Sequence, residues 1–468
     1  MSQSSSATSQ SLPPIRLEYT SSKRTQAGSS ASVADYYLLF HCLVLAGIAL
    51  AGRGFAYLGL SELSLVIGCV VMLTCPIGLK RIFSLFPAVL VVPFIIWGAF
   101  QTLPYVDEYG VMALRDGAQW GYMLWAFSIG AIIASRPARL VLLMDRYRRF
   151  SRVALMVLPV FLMLQMTGFE FPEIPGMGIR IITLKWGETL VHTGAIGAFL
   201  WLAPIAPLAM TARLFPFMFL VLFAIGNRAG QVASVFQLGL AMLSRGLTTR
   251  VLSTALVVML PIAFLGISGI KFDVGGREVS VEQQIEKVLS LVGMSSEERY
   301  GNTIEWRTNW WNDIIDYTVH GPYFWTGKGF GINLADSDGY QLEENSALRS
   351  PHNSHLTVLA RAGVPGIVLY VVVNLSWFIA MCGCIYRAWW MGHQTWYRMF
   401  CWVTIFWSAI MLNACFDVVL EGPMGSSWCW TLYGLGLAMI WIFRHTPEAL
   451  PDYATINQTG QPANGRSA

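Results

Sequence analysis

The amino-acid sequence predicts an all-α polytopic membrane protein with about twelve transmembrane helices and one large, largely helical loop before the tenth span. Hydrophobic residues make up 55% of the 468 residues and charged residues only 12%. A soluble chain of this size could not bury so much apolar surface. The apolar residues also form blocks long enough to cross a bilayer, which takes about 20 residues per helix. The composition therefore excludes a soluble enzyme, a nucleic-acid-binding protein and a disordered chain.

The apolar blocks divide the chain into spans, tails and loops. They lie at 36–52, 61–79, 82–104, 117–135, 150–168, 189–212, 214–227, 229–244, 250–270, 364–386, 399–419 and 427–443. Five regions follow: a disordered N-terminal tail at 1–35, spans one to nine at 36–270, a soluble loop at 271–355, spans ten to twelve at 356–443, and a C-terminal tail at 444–468.

The distribution of charge predicts the orientation. With an even number of spans, both termini share one side, and that side holds most of the Lys and Arg but few of the acids. Six of these basic residues fall between Arg136 and Arg152, in an expected loop. Basic loops stay in the cytoplasm. Both termini are therefore expected there, and the 271–355 loop is expected outside.

A helix with an aromatic face is predicted within the long loop, at 304–320. Arg307 is followed by Trp310 three residues later and Trp311 four residues later, so all three share one face. Tryptophan favours the lipid headgroup layer. We expect this helix to lie along the outer membrane surface with Arg307 near lipid phosphates. The alternative is that Arg307 merely snorkels beside the tryptophans.

A glycine-rich segment, GPYFWTGKGFGINL, follows this helix. Gly327, Gly329 and Gly331 predict tight turns in which the backbone closely approaches another group. Lys328 is not followed by the Ser or Thr of a nucleotide-binding phosphate loop. The segment is therefore expected to be a structural turn, and no nucleotide is predicted as a partner.

Two histidines stand at the edge of the tenth span, in the segment PHNSHL. Pro351 suits the first turn of a helix, and a helix N-terminus attracts anions. His352 in that position is a candidate catalytic base. His352 and His355 are three residues apart and could share a helical face as a metal pair, but no third ligand is signalled. No metal and no cofactor are predicted.

Further charges stand near the predicted outer side. Arg228, in GNRAG, lies between two apolar blocks, and charges at such depth are functional candidates, usually as partners of anions. The alternative is an interfacial, snorkelling arginine. An outward loop adds Arg180, Lys185 and Glu188. A second outer loop, expected to be solvated, holds Asp107, Glu108 and Asp116.

The order of these motifs resembles the O-antigen ligase family. The motifs are GNRAG with Arg228, WRTNWW with Arg307, the Gly-x-Gly turn, PHNSHL, and RAGVPG at 361–366. The resemblance covers about 220–385 and extends loosely over the spans. In place of the family's Ser-Arg pair, this chain has Asn227-Arg228.

The resemblance implies an inverting, metal-independent glycosyltransferase of the bacterial inner membrane, with its active site facing the periplasm. Its donor would be a glycan linked to undecaprenyl diphosphate, and its acceptor would be the lipid A–core. The enzyme would also contact membrane lipids. Carried over by motif, the essential residues are Arg228 and Arg307 on the donor diphosphate and His352 on the acceptor hydroxyl. Further candidate substrate-binding residues are Arg180, Lys185, Lys328, Arg349, Asn353, His355, Trp310 and Trp311.

Three other functions stay open at this point. An O-antigen polymerase uses the same donor and extends a second lipid-linked glycan. A protein O-oligosaccharyltransferase transfers the glycan to Ser or Thr. A transporter or flippase would show broken helices and charges at mid-membrane, whereas the charges here collect at the predicted outer edge.

Overall fold

Helices make up most of the part of the chain described by the computed structural model. That part covers residues 31–202, 227–245, 272–274, 277–279, 298–341 and 348–450. The α-helices are α1 Val33–Ala51, α2 Arg53–Ala56, α3 Leu60–Leu73, α4 Pro76–Phe83, α5 Phe86–Thr102, α6 Val106–Tyr109, α7 Val111–Gly121, α8 Leu124–Ser135, α9 Ala138–Met166, α10 Trp186–Leu202, α11 Arg228–Arg245, α12 Glu298–Val319, α13 Leu334–Asp338, α14 Ser354–Trp390, α15 Gln394–Ala414 and α16 Pro423–His445.

The described strands form two short antiparallel hairpins. Strand β1 (Glu173–Ile174) pairs with β2 (Ile179–Arg180), and β3 (Phe272–Val274) pairs with β4 (Arg277–Val279). Short 3₁₀ turns lie at Leu103–Tyr105 and Pro447–Ala449. The predicted all-α membrane class is therefore confirmed for the described residues.

Several helices are long and apolar enough to cross a membrane. Within the described ranges there are four, at Val33–Ala51, Phe86–Tyr109, Ser354–Trp390 and Pro423–His445, or up to six if two bent pairs each count as one span. The predicted block at 250–270 lies outside the described residues, as do the block at 214–227 except Asn227 and most of the C-terminal half of block 189–212. The number of twelve spans and the external position of 271–355 stay predictions.

The bent pairs correct two expectations about individual spans. The block at 61–79 is not one straight helix, because α3 and α4 meet at 97° where Pro76 opens α4. Proline has no backbone N–H to continue the preceding helix. Most of the basic segment 136–152 is not a loop: residues 138–152 form the first half of α9, which is bent by 115° from the preceding helices.

The main core is built around α8, which is buried on every side from Trp125 to Ala134. Its sequence is apolar all round, as expected for a helix surrounded by others. Glycines allow these close contacts: a Cβ on Gly78 of α4 would lie 1.9 Å from the carbonyl oxygen of Ala131, and one on Gly434 of α16 would lie 2.8 Å from that of Ala126. Small residues at such crossings are typical of membrane helix bundles.

A second, smaller core joins the long loop to α14. It contains Trp310 and Ile314 of α12, Leu334 and Ala335 of α13, and Leu359 and Ala360 of α14. The predicted helix at 304–320 is confirmed as α12, but its described part packs on protein. Trp310 is completely buried, and its indole N–H donates to Asp338 at 2.7 Å. The expectation that this tryptophan faces lipid headgroups is therefore wrong.

The glycine-rich turn docks on a break in α14. Gly363 has a φ of 69°, and Pro365 offers no N–H, so the helical hydrogen bonds are interrupted there. The N–H of Lys328 donates to Ala360 O at 2.7 Å, and that of Gly329 to Arg361 O at 3.1 Å. The structural turn predicted from the sequence is thus present, and it satisfies carbonyls that the broken helix leaves open.

Candidate active site

His352 stands just before the first turn of α14. It is the one non-glycine residue with positive φ in the described chain, at 52°. The side chain of Asn353 caps the helix by accepting from the N–H of His355 at 3.0 Å and of Leu356 at 3.1 Å. Trp311 donates its indole N–H to the carbonyl of Pro351 at 2.8 Å. An unfavourable backbone conformation held from both sides is a common feature of functional sites.

The second histidine has a different environment. His355 belongs to α14, with one ring nitrogen 3.1 Å from the Tyr370 hydroxyl and the other 3.0 Å from Met411 O. Both nitrogens are therefore engaged by the protein, and His352 precedes the helix. The two histidines do not share a helical face, which corrects the expectation on which a metal pair rested. In the described ranges, no three His, Cys, Asp or Glu residues are grouped to hold a metal.

Three charged residues act on His352. Burial lowers its pKa, the positive charges of Arg307 and Lys185 lower it further, and Asp417 opposes them. His352 is therefore neutral near pH 7. A neutral imidazole has a free lone pair and can accept a proton.

Lys185, at the start of α10, lies between two carboxylates. Its Nζ is 3.2 Å from Glu188 and 3.1 Å from Asp417. Burial alone would lower the pKa of Lys185, but these two carboxylates raise it above its usual range. Lys185 therefore stays charged beside His352, with its donors directed at the protein's own acids.

Arg307 reaches the loop between α15 and α16. One of its guanidinium nitrogens lies 3.5 Å from the carbonyl oxygen of Phe416, the residue before Asp417. The same loop is held by Ser354, whose hydroxyl donates to Asp417 O at 3.0 Å and accepts from the N–H of Leu420 at 3.1 Å. The start of α14, the middle of α12 and the α15–α16 loop thus meet around His352.

The start of α11 lies beside the start of α10. Asn227 caps α11 by accepting from the N–H of Gly230 at 2.8 Å, and a Cβ on Gly187 would lie 3.0 Å from the Asn227 side-chain oxygen. Gly187 is two residues from Lys185, so the backbone of Arg228 begins α11 close to this cluster. The side chain of Arg228 lies outside the described atoms.

Arg349 and Lys328 are engaged within the loop. Arg349 donates to Asp116 at 3.1 Å and to Gly331 O at 2.8 Å, and buried Arg361 lies 3.0 Å from the same carboxylate. Lys328 pairs with Asp338 at 2.5 Å. The side chain of Asp116 is only 7% exposed, so the expectation of a solvated outer acid is wrong. These residues attach the loop to α7 and α14.

Arg180 lies apart from this centre, in an exposed pair with Glu170. Sequence reasoning also missed Asp417, which the structure brings next to Lys185. The available signal was an acid in the segment CFDVVLE, at the end of an apolar block. A charge in such a position is a functional candidate by the same argument that singled out Arg228.

The bundle of apolar helices with a cluster of charged side chains around His352 defines an integral membrane protein with a polar site. Residues 214–371, about a third of the chain, match the family model described as O-Antigen ligase, which confirms the resemblance drawn from the motifs. Comparison with curated proteins gives no significant match. The family implies, in general terms, a membrane glycosyltransferase-like enzyme of O-antigen ligase or polymerase type that uses lipid-linked glycans.

Proposed function

We propose that this protein is an O-antigen ligase that transfers O-antigen polysaccharide from undecaprenyl diphosphate to the lipid A–core acceptor. The reaction takes place at the periplasmic face of the bacterial inner membrane, with both termini in the cytoplasm. The observation that carries the proposal is a half-buried histidine of lowered pKa, with Arg307 and Lys185 acting on it, in a chain with the family's domain.

Arg307 and Arg228 bind the donor diphosphate in this proposal. Negative charge grows on the diphosphate as the glycosidic C–O bond breaks, and fixed guanidinium groups stabilise that charge. Arginine suits this role because its planar donors pair with two phosphate oxygens at once. Two observations support the assignment. Arg307 contacts the α15–α16 loop, and the backbone of Arg228 begins α11 close to Lys185.

His352 is the general base. The acceptor hydroxyl loses its proton to the neutral imidazole as its oxygen attacks the anomeric carbon of the donor sugar, and the diphosphate leaves with the bonding electrons. Attack from the face opposite the leaving group inverts the anomeric configuration. The lowered pKa of His352 keeps the ring available for the proton.

Lys185 and Asp417 adjust the base without touching the substrates. Since Lys185 already contacts Glu188 and Asp417, we assign it an electrostatic role on His352. Asp417 favours the imidazolium that forms when the proton arrives, because its negative charge raises the pKa of His352. Lys185 thus favours the neutral form of His352 before the reaction, and Asp417 favours the protonated form once the proton has arrived.

The lipopolysaccharide profile of a deletion strain tests the function directly. A ligase predicts loss of the whole O-antigen ladder from core, with lipid-linked O antigen accumulating. A single O unit remaining on core would indicate a polymerase instead. An unchanged lipopolysaccharide with loss of glycan from proteins would indicate a protein-acceptor transferase.

A further inference from the structure

An apolar cavity lies inside the bundle, between helices other than α14, the helix that follows His352. Helices α1, α8, α9, α15 and α16 surround a space of about 100 Å³, lined by side chains such as Leu45, Ile129, Met144 and Leu435. It reaches Met399 and Trp402 near the start of α15, whereas His355 is bound to Met411 near the end of that helix.

One charged side chain faces this cavity. Arg146 of α9 is the one Lys, Arg, Asp or Glu among the described residues that line it. The Nη1 atom of Arg146 is buried and has no hydrogen-bond partner in the described part of the chain. A buried cationic donor without an acceptor is costly, and a bound anion would supply that acceptor.

A second pocket, of about 340 Å³, shares Arg146 with the first. Its described lining contains Arg136, Arg139 and Arg146 but only one acid, Asp35. Arg139 lies 2.7 Å and Arg136 lies 3.7 Å from Asp35, so this acid is already paired with two arginines. The pocket therefore carries an excess of positive charge. Leu39 and Leu142 also line it, and both are exposed apolar side chains between α1 and α9.

We propose that these two pockets, which share Arg146 in their linings, bind one anionic phospholipid. One of its acyl chains enters the apolar cavity, and its phosphate lies at Arg146. A free phosphate ion would leave the apolar cavity unfilled, and a lipid without net charge would not balance the arginines. The exposed Leu39 and Leu142 offer a lateral path from the bilayer. This site is separate from the one around His352 and does not depend on the proposed transfer reaction.

Lipid retention by the purified full-length protein tests the proposal. The probes are phosphatidylglycerol and phosphatidylcholine, added to detergent-solubilised protein and measured by native mass spectrometry. Arg146→Gln removes the central cation, and Ala46→Phe fills the cavity while leaving all arginines in place. Arg149→Gln is the matched control, because Arg149 is an exposed arginine of the same helix that pairs with Asp145 and lines neither pocket.

The wild type should retain phosphatidylglycerol in preference to phosphatidylcholine. Arg146→Gln should reduce this retention about fivefold to tenfold, the effect of one cation near a lipid phosphate, and Ala46→Phe should also reduce it. Arg149→Gln should behave like the wild type. Equal retention of the two lipids, an equal loss in the Arg149 control, or unchanged retention in Ala46→Phe would overturn the proposal. Full displacement of the lipid by inorganic phosphate would show a simple anion site instead.

Discussion

The Nζ of Lys185 lies 3.1 Å from the carboxylate of Asp417, joining the start of α10 to the α15–α16 loop across 232 residues of sequence. Both residues act on His352 with opposite sign: the lysine lowers its pKa and the aspartate raises it. The chain thus sets the proton affinity of its candidate base with an ion pair that need not touch the base or the substrates. This relationship leads to the first prediction.

Lys185→Met should move the acidic limb of the pH–rate profile to higher pH. The base must be neutral, so the rate falls as pH drops through the pKa of His352. In the wild type this pKa lies below its usual value of 6.5. Removing Lys185 takes away a lowering charge and leaves Asp417, so the pKa rises. The measurement is glycan transfer per folded protein from pH 5 to 9.

Lys185→Arg and Lys80→Met are the controls for that profile. Arginine keeps the positive charge beside Asp417, and Lys80 lies on α4, outside the groups that act on His352. Both should leave the acidic limb where it is in the wild type. A shift of the limb to lower pH in Lys185→Met would contradict the electrostatic role of Lys185.

Asp116→Asn should strongly destabilise the protein. It removes the carboxylate that lies 3.0 Å from Arg361 and 3.1 Å from Arg349, and the side chain of Arg361 is only 2% exposed. Breaking a buried ion pair costs about 3–5 kcal/mol, because the remaining charge stays buried. Glu170→Gln breaks the exposed pair with Arg180 and should cost less than about 1 kcal/mol. Thermal unfolding in detergent compares the two, and similar losses would contradict the account.

Gly327→Ala should detach the glycine-rich turn from α14. Gly327 has a φ of 63°, and a Cβ there would lie 2.5 Å from the carbonyl carbon of Arg361. Gly339→Ala is the matched control, with a φ of 76° and no atom within 4 Å of the added Cβ. Gly339→Ala should lose only about 1–2 kcal/mol of stability, the cost of a left-handed backbone conformation for a residue with a Cβ. Faster tryptic cleavage at Lys328 in Gly327→Ala than in Gly339→Ala is the expected result; equal rates would show that the docking is unimportant.

Local sequence patterns identified much of the fold and part of the site. The spacing of tryptophan and isoleucine predicted α12, and the glycines predicted the turn that meets the break in α14. The proline–histidine segment predicted a helix start, although Asn353, and not Pro351, supplies the observed cap. Each of these features depends on neighbours within a few residues.

Long-range ion pairs were not predictable in the same way. Asp116 looked like a solvated acid, and besides its neighbour Arg115 it pairs with Arg349, which is 233 residues away in the sequence. Asp417 lies near the end of one apolar block, and its partner Lys185 stands 232 residues earlier, just before the block at 189–212. Likewise, Trp310 looked suited to a headgroup layer, and only the packing of α13 and Tyr340 shows it is internal. Such contacts are fixed by the tertiary fold, not by local spacing.

The predicted orientation can be tested with thiol labelling in intact spheroplasts. Asp336 is exposed, and its segment belongs to the loop expected outside the cell membrane. Asp336→Cys should react with a membrane-impermeant maleimide, whereas Arg149→Cys should react only after permeabilisation. The wild type, with its eight native cysteines in apolar blocks, gives the background. Labelling of position 149 and protection of position 336 would reverse the topology.

The central claim is that His352 is the general base. Its most direct test is to measure glycan transfer and donor binding separately in the variant His352→Ala. Transfer of lipid-linked glycan to core should fall about 10²–10⁴-fold, the range for a positioned base, while donor binding in detergent stays near the wild-type level. Arg307→Ala should lose about 10²–10³-fold in transfer through its lost stabilisation of the leaving group, together with donor binding. His320→Ala, an exposed histidine at the end of α12, should change neither. Loss of donor binding in His352→Ala as complete as in Arg307→Ala would make His352 a phosphate ligand and contradict its role as the base.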